Sequence, residues 1–394
     1  PWWWNWPGGI SVRPNRGRPS VALFLYGTLR HRPLFYRVAG PGTDARCLPA
    51  TLADHAVDRV RDGTLPMLVS RPGSVAMGEV WFDLTERQRA RLDLYEVAFG
   101  YTVIEVALRL GDGRDVLAHA YAPPPWHIPS GEPWSLPEWE PIGAEAACFA
   151  ADEIDRHDPP LSGDQLFAQW RMMEHRAQAS VRASRSDVPA TRRRPGGPED
   201  YVVGPAAPLV GGFFKFAGLT IDHRRFDGEW ATGLKREVLV GADAALVLPY
   251  DPVRDRVLLI EQFRNGPARR SDPNPWCLEP VAGIVDAGET PEDAAHREAA
   301  EEAGVTFSRL DKMFSVYASP GSSTDHFHCY LGLTDLTPEA DFRGGLPEEG
   351  EDLRSHVMPL DAALDLIDTG EVNVGPLVAM LLWLARHRGR PSPG

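Results

Sequence analysis

Cysteine is scarce in this sequence. Only Cys47, Cys148, Cys277 and Cys329 occur in 394 residues, far apart and with no Cys-x-x-Cys pair. That spacing excludes a disulfide framework and a cysteine zinc cluster, and points to reduced thiols in a cytoplasmic protein. Positive charge is short as well: 41 Lys and Arg stand against 55 Asp and Glu, a net charge of −14. This argues against a nucleic-acid partner, whose phosphates need clustered Lys and Arg. A nucleotide substrate stays compatible, because a bound divalent cation reverses the sign of a site locally. Long apolar runs are missing too. The strongest, Pro376–Ala385, is too short to span a bilayer, so no membrane partner is expected. The opening PWWWNWPGGISVRPNRGRPS lacks the apolar stretch of a signal peptide, and residues 1–19 are expected to form a disordered leader.

What is present suffices for two cores. Hydrophobic residues make up 43% and charged residues 24%, both globular proportions, and the length suits two domains. Residues 20–125 mix short elements. Val21–Leu29 and Ala76–Leu84 read as strands, Tyr101–Leu110 and Val116–Tyr121 as a pair across GDGRD, and Thr85–Tyr95 as a helix capped by Thr85. Residues 126–205 form a Pro- and Trp-rich extension, a helical stretch at Ile142–Ala183 and a polar linker at Ser184–Pro205. Residues 206–394 alternate strand and helix. Ala244–Pro249 and Arg256–Gln262 flank the turn DPVRD, Leu310–Ala318 and His326–Thr334 are further strands, and Asp361–Asp368 and Val374–Arg386 are amphipathic helices. The fold class expected is α+β for the first part and α/β for the second.

The densest chemistry lies in GIVDAGETPEDAAHREAAEEAGV, Gly283–Val305. Thr290 is placed to cap a helix, Pro291 to open it and Gly304 to end it in a left-handed turn. Glu298, Glu301 and Glu302 follow at i, i+3 and i+4, so their carboxylates share one helix face. Three like charges on one face repel unless a cation lies among them, and hard oxygen donors suit Mg²⁺ or Mn²⁺. Arg297 is placed to orient a loop carboxylate such as Glu289.

The segment resembles the Nudix signature at every fixed position: Gly283, Glu289, Arg297, Glu298, Glu301, Glu302 and Gly304. Ala299 departs from it, standing where a larger aliphatic is usual. The resemblance implies an α/β/α sandwich and metal-dependent hydrolysis of a nucleoside diphosphate linked to another group. Metal ligands would be Glu298, Glu301, Glu302 and the carbonyl of Ala282. The flanks resemble the ADP-ribose pyrophosphatase branch, over roughly residues 206–390. Pro320 in YASPG follows Gly304 at the offset that marks ADP-ribose in that branch. Arg264 ends LLIEQFR, Arg236 and Glu237 lie in LKREV, and Phe214 lies in FFKF; all are substrate contacts by resemblance. By alignment on EGEDLR, Glu349 falls at the catalytic base, with Glu351 next on the same loop. The branch exchanges N-terminal strands, which implies a homodimer through the Nudix domain. The alternative within the fold is a hydrolase of another nucleoside diphosphate sugar. A non-enzymatic ADP-ribose sensor needs a broken signature, and this one is intact.

LFLYGTLR, Leu23–Arg30, resembles the opening of the gamma-glutamylcyclotransferase-like (AIG2-like) superfamily. The resemblance implies a mixed β-barrel with helices, in which the turn Tyr26-Gly27-Thr28-Leu29 offers backbone N–H groups to a substrate carboxylate. LDLYEVAFGY places Glu96 at the superfamily's general base. Val97 replaces the usual Gly, and one extra residue separates Glu96 from Tyr101. The expectation is a degenerate cyclotransferase, with a bifunctional enzyme as the alternative. The order of the two domains resembles the bacterial tellurite-resistance proteins.

Overall fold

The structure, a computed structural model, describes residues 21–40, 45–61, 63–97, 99–194, 196–197, 199–204, 208–337, 343–344 and 352–388. The leader expected at 1–19 lies outside these residues. The chain divides into two compact units between Glu237 and Val238.

The first unit opens with β1 (Leu23–Leu25), a single helical turn at Thr28–Arg30 and α1 (Arg32–Ala39). β2 (Arg46–Val60), β3 (Pro66–Phe82), α2 (Glu86–Val97), β4 (Thr102–Leu110), β5 (Asp115–Ala122) and β6 (Pro129–Pro133) follow. The strands run in the order β3-β1-β5-β4-β2, and β2 pairs back onto β3, which closes a five-stranded barrel. β1 and β5 are parallel, and β6 adds to β2. Side chains alternate along β1: Phe24 packs inside the barrel with Leu52, Val80 and Leu108, and Leu23 and Leu25 face outward onto Leu34, Phe35, Leu92 and Tyr95. The barrel expected from the resemblance is present.

Next come α3 (Leu136–Trp139), α4 (Glu145–Asp155) and α5 (Gly163–Ser184). The Pro- and Trp-rich stretch is built into the first unit, because Trp134 and Trp139 bury in the same core as Leu23 and Leu25. The helical stretch read as Ile142–Ala183 breaks at 156–162, where Pro159 and Pro160 lack the N–H a helix needs. Ser162 then starts α5 with a capping box to Gln165. β7 (Tyr201–Val203), β8 (Lys215–Arg224) and β9 (Trp230–Val240) form a small sheet of their own. Most of that sheet is counted with the first unit, although 206 was the expected opening of the second domain.

The second unit contains β10 (Asp243–Asp251), β11 (Arg256–Phe263), α6 (Asn265–Arg269), β12 (Trp276–Glu279), β13 (Val281–Ile284) and α7 (Pro291–Ala303). β14 (Arg309–Tyr317), β15 (His326–Leu333), β16 (Arg343–Gly344), β17 (Leu353–Pro359), α8 (Leu360–Thr369) and α9 (Gly375–His387) complete it. The sheet order is β14-β15-β10-β11-β17-β16, with β12 on β11 and β13 on β10. Both faces are covered. Ala245 and Val247 of β10 pack on Ala294, Ala295 and Ala299 of α7. Leu246 and Leu248 pack on Ala363 of α8 and Leu377 and Leu381 of α9. This is the expected α/β/α sandwich.

Candidate functional site

The second unit's site is organised by α7. Thr290 accepts a hydrogen bond from the Asp293 N–H at 3.1 Å, and Gly304 ends the helix at φ 61°. The buried alanines, Ala299 among them, bring this helix onto β10 and β13. The departure from the signature at Ala299 is therefore a close-packing position. At the other edge of α7, Arg297 holds the charged residues in place. It grips Glu289 with two N–H groups at 3.0 and 2.9 Å, and reaches Glu298 at 2.5 Å and Glu301 at 3.4 Å. A further bond runs to the carbonyl of Ile284 at 3.1 Å, which ties the loop to β13.

Three of the four expected metal ligands converge on β13. Glu302, only 4% exposed, accepts the Ala282 N–H at 3.1 Å. Glu298 lies so close to the next residue that a Cβ on Gly283 would fall 1.8 Å from its carboxylate oxygen. Only glycine leaves that space. Glu301 is more exposed and joins the others through Arg297. Several carboxylates crowded around one guanidinium form an oxygen-rich set that fits a hard divalent cation.

Arg264 leaves β11 and donates Nε and Nη2 to Oε2 of Glu279 at 2.9 and 2.5 Å. Gln262 donates to the same oxygen at 3.1 Å. Burial works against the Arg264 charge, but Glu279 and then Glu302 outweigh it and keep the guanidinium protonated. Arg264 therefore lies within electrostatic reach of the carboxylate set. Pro320 sits on an exposed turn between β14 and β15, which is closed by the Ser322 N–H on the Ser319 carbonyl at 3.0 Å. Arg236, Glu237 and Phe214 belong to the first unit and are exposed. Phe214 meets Phe213 edge-on at 5.0 Å. Glu349 and Glu351 lie outside the described residues.

The first unit gathers a second set of groups around Glu96. Burial first, and the charge of Asp93 second, push the Glu96 carboxyl up to about 8. Its charge is felt by Tyr26, Tyr95, Tyr101 and Tyr121, whose phenols burial holds well above their ordinary range. Tyr26 donates to the Tyr121 carbonyl at 2.6 Å, and Tyr101 donates to the Pro66 carbonyl at 2.5 Å. The structure thus brings Glu96 and the turn at Tyr26–Leu29 together. The N–H groups of Thr28 and Leu29 open a helical turn, so no helical bond consumes them. After Glu96 the chain folds back on the Glu96 carbonyl, which accepts from Phe99 and Tyr101 at 3.0 and 3.2 Å.

The NUDIX domain family model matches residues 241–380. An ADP-ribose pyrophosphatase of Escherichia coli is 38% identical over 179 residues, covering 45% of this chain and 85% of that protein. This chain belongs to the Nudix family. An ADP-ribose pyrophosphatase of Haemophilus influenzae is also 38% identical, covering 45% of this chain and 82% of its own. A GDP-mannose pyrophosphatase of Escherichia coli is 33% identical, covering 45% and 90%. Residues 23–140 match the gamma-glutamyl cyclotransferase, AIG2-like model, so the two domains stand in the expected order. The chain is a Nudix hydrolase with an AIG2-like domain ahead of it.

Sequence reasoning missed three features of this Nudix hydrolase. Glu279, the partner of Arg264, stands three residues before Ala282 and carried a readable charge. Asp93 stands three residues before Glu96 on the same helix face, a spacing that was readable in LDLYE. Tyr121 lies on β5 and donates to Asp93 at 2.8 Å; no local pattern pointed to it.

Proposed function

We propose that the Nudix unit hydrolyses the pyrophosphate of ADP-ribose to AMP and ribose 5-phosphate, using Mg²⁺ or Mn²⁺. The observation that carries this reading is the intact carboxylate set of α7, turned onto β13, in a chain similar to ADP-ribose pyrophosphatases. Glu298, Glu301, Glu302 and the Ala282 carbonyl would hold the metal, which when bound neutralises charge on the pyrophosphate oxygens. Arg297 keeps Glu289 and Glu298 in register for that task. Arg264, within electrostatic reach of Glu302, supplies a charge-assisted contact to a phosphate, with Glu279 holding the guanidinium in orientation. By resemblance, Pro320, Arg236 and Glu237 are substrate contacts, Phe214 is placed to stack on adenine across a dimer interface, and Glu349 removes the proton from the attacking water. Water oxygen bonds to one phosphorus, and the bridging P–O bond breaks.

The similarity to a GDP-mannose pyrophosphatase keeps a second nucleoside diphosphate sugar in view. A hydrolysis panel with Mg²⁺ separates the two. The expected result is kcat/KM for ADP-ribose at least about 10-fold above GDP-mannose, lowered about 100-fold or more by Glu302→Gln. Preference for GDP-mannose, or a Glu302→Gln enzyme within a factor of about two of wild type, overturns the reading.

A second reading concerns the first unit, where Glu96 beside the Tyr26–Leu29 turn favours proton transfer. Cyclotransfer of a γ-glutamyl amine would move a proton from the α-amine to Glu96 as the α-nitrogen bonds to the γ-carbonyl carbon; the γ-amide C–N bond would then break and the amine leave with the proton returned by Glu96, releasing 5-oxoproline. We assign this unit a weak or lost activity because of the altered turn after Glu96. Robust 5-oxoproline release, abolished by Glu96→Gln and untouched by Glu302→Gln, makes the chain bifunctional instead.

A further inference from the structure

A second group of metal-ligand side chains lies on the same sheet, built from residues outside the Nudix signature. β10 and β15 run parallel, with Asp243 opposite His326 and Ala245 opposite His328. Side chains two apart on a strand share a face, so Asp243, His326 and His328 lie on the face where Ala245, Val247 and Tyr330 pack with α7. One donor atom from each of the three lies within 4.8 Å of the other two. His328 Nε2 is 3.1 Å from Asp243 Oδ2, and the two imidazole centroids are 4.9 Å apart. Asp243 is buried, and both histidines are half-buried.

We propose that Asp243, His326 and His328 bind a divalent transition-metal ion of the zinc class, at a site separate from the carboxylate box. Two imidazoles and one carboxylate suit Zn²⁺ or Co²⁺, whereas Mg²⁺ takes oxygen ligands in an octahedron. Zinc holds nitrogen and oxygen donors at about 2.0–2.2 Å, so neighbouring donors stand about 3–3.5 Å apart. The His328–Asp243 pair already has that separation. Ser315 Oγ lies 3.3 Å from His328 Nδ1. When Nδ1–H is donated to Ser315, Nε2 is left with its lone pair on the side of Asp243 and His326. An ion pair between Asp243 and His328 requires no third donor; His326 supplies the third donor of a ligand set. Three protein ligands leave a position for water.

The site braces two loops. The Asp243 carbonyl accepts the N–H of Val285 at 3.1 Å, where the chain leaves β13 toward Glu289. His326 begins β15 after the turn that carries Pro320, and the Ala318 N–H bonds the Asp325 carbonyl at 3.1 Å. An ion joining β10 to β15 at this end fixes the roots of both segments.

The test uses the full chain, stripped with a chelator and titrated with Co²⁺ and then Zn²⁺. Wild type is expected to take up one equivalent of Co²⁺ with visible absorption of a low-coordinate ion, displaced by Zn²⁺. Glu298→Gln/Glu302→Gln is expected to keep that signal, and His326→Gln/His328→Gln to lose it. Zn²⁺ is expected to raise the melting temperature of the first two proteins and not of the third. Asp243→Asn, of nearly the same shape, covers the case in which the double histidine variant fails to fold; its Co²⁺ affinity is expected to fall about 10-fold or more. Absence of the signal from wild type overturns the proposal, as does a signal that follows the glutamate substitutions, or equal affinity in Asp243→Asn.

Discussion

Glu96 is a carboxyl whose folded surroundings favour the neutral form. Its ordinary value of 4.5 rises to about 8, because burial penalises the anion and Asp93 repels it. The folded chain therefore holds a proton that the unfolded chain has released across that interval. Stability contributed by the protonated group is present at low pH and declines as pH rises from about 4.5 to about 8, at up to about 1.4 kcal/mol per pH unit. Glu96→Gln removes this slope. Melting temperatures of wild type and variant are expected to be similar near pH 5 and to diverge by pH 8, with the variant higher. Glu174, also raised by burial, to about 7, contributes the same trend to both proteins and cancels in the difference. A gap that stays constant with pH would show that Glu96 is not desolvated. Glu96 was singled out by the resemblance of LDLYEVAFGY to the superfamily's pattern, and its neighbour Asp93 is set locally by α2. The tyrosines around it come from β1, β4 and β5, and only closure of the barrel makes them neighbours. Arg264 shows the same division. Its place at the end of an apolar strand was readable, but its partner Glu279 arrives through the register of β11 on β12.

Helix α7 was readable nearly to the residue because its start, its stop and its carboxylate face are all short-range features. Thr290 receives the Asp293 N–H, so Thr290→Ala leaves one opening N–H without its protein partner. The expected cost is about 1 kcal/mol in the unfolding of the Nudix unit, measured by urea denaturation followed at that unit. Because the same turn carries the loop held by Arg297 and Glu289, kcat is expected to fall as well; an unchanged midpoint would mean the cap carries no stability. β2 was not readable from periodicity. Its exposure pattern shows no simple alternation, since this one strand meets β3, β4 and β6 and shifts register between Ala53 and His55. β3 was seen only in its second half for the same reason: its register on β2 jumps from Ser70 to Val75, and the segment Ser70–Ser74 is mostly exposed. α1 has eight residues, too few for a helical stripe to repeat.

At the scale of the whole molecule, the exposed aromatic surface on and around the β7–β9 sheet remains to be explained. Phe213, Phe214, Phe216, Tyr201, Trp230 and Phe226 are all exposed, and Phe226 is almost fully in water at 96%. Single exposed hydrophobics are ordinary, but a group of this size on one small sheet marks a contact surface. The segment lies between the two matched domains, outside residues 23–140 and 241–380. The homodimer that the resemblance implies through residues 206–394, if formed by these strands, would cover the aromatics and carry Phe214, Arg236 and Glu237 to its interface. Sedimentation at micromolar concentration is expected to give a dimer for wild type. Phe213→Asp/Phe214→Asp places two charges in that surface and is expected to give monomers. If Phe214 also stacks on the adenine of the partner subunit's substrate, as the resemblance implies, the monomers show a KM for ADP-ribose raised about 10-fold or more, with a smaller change in kcat. Dissociation with unchanged KM would retain the dimer and remove Phe214 from the substrate contacts. A monomeric wild type with full activity would remove both, because the exposed aromatics would then have no role in completing the site.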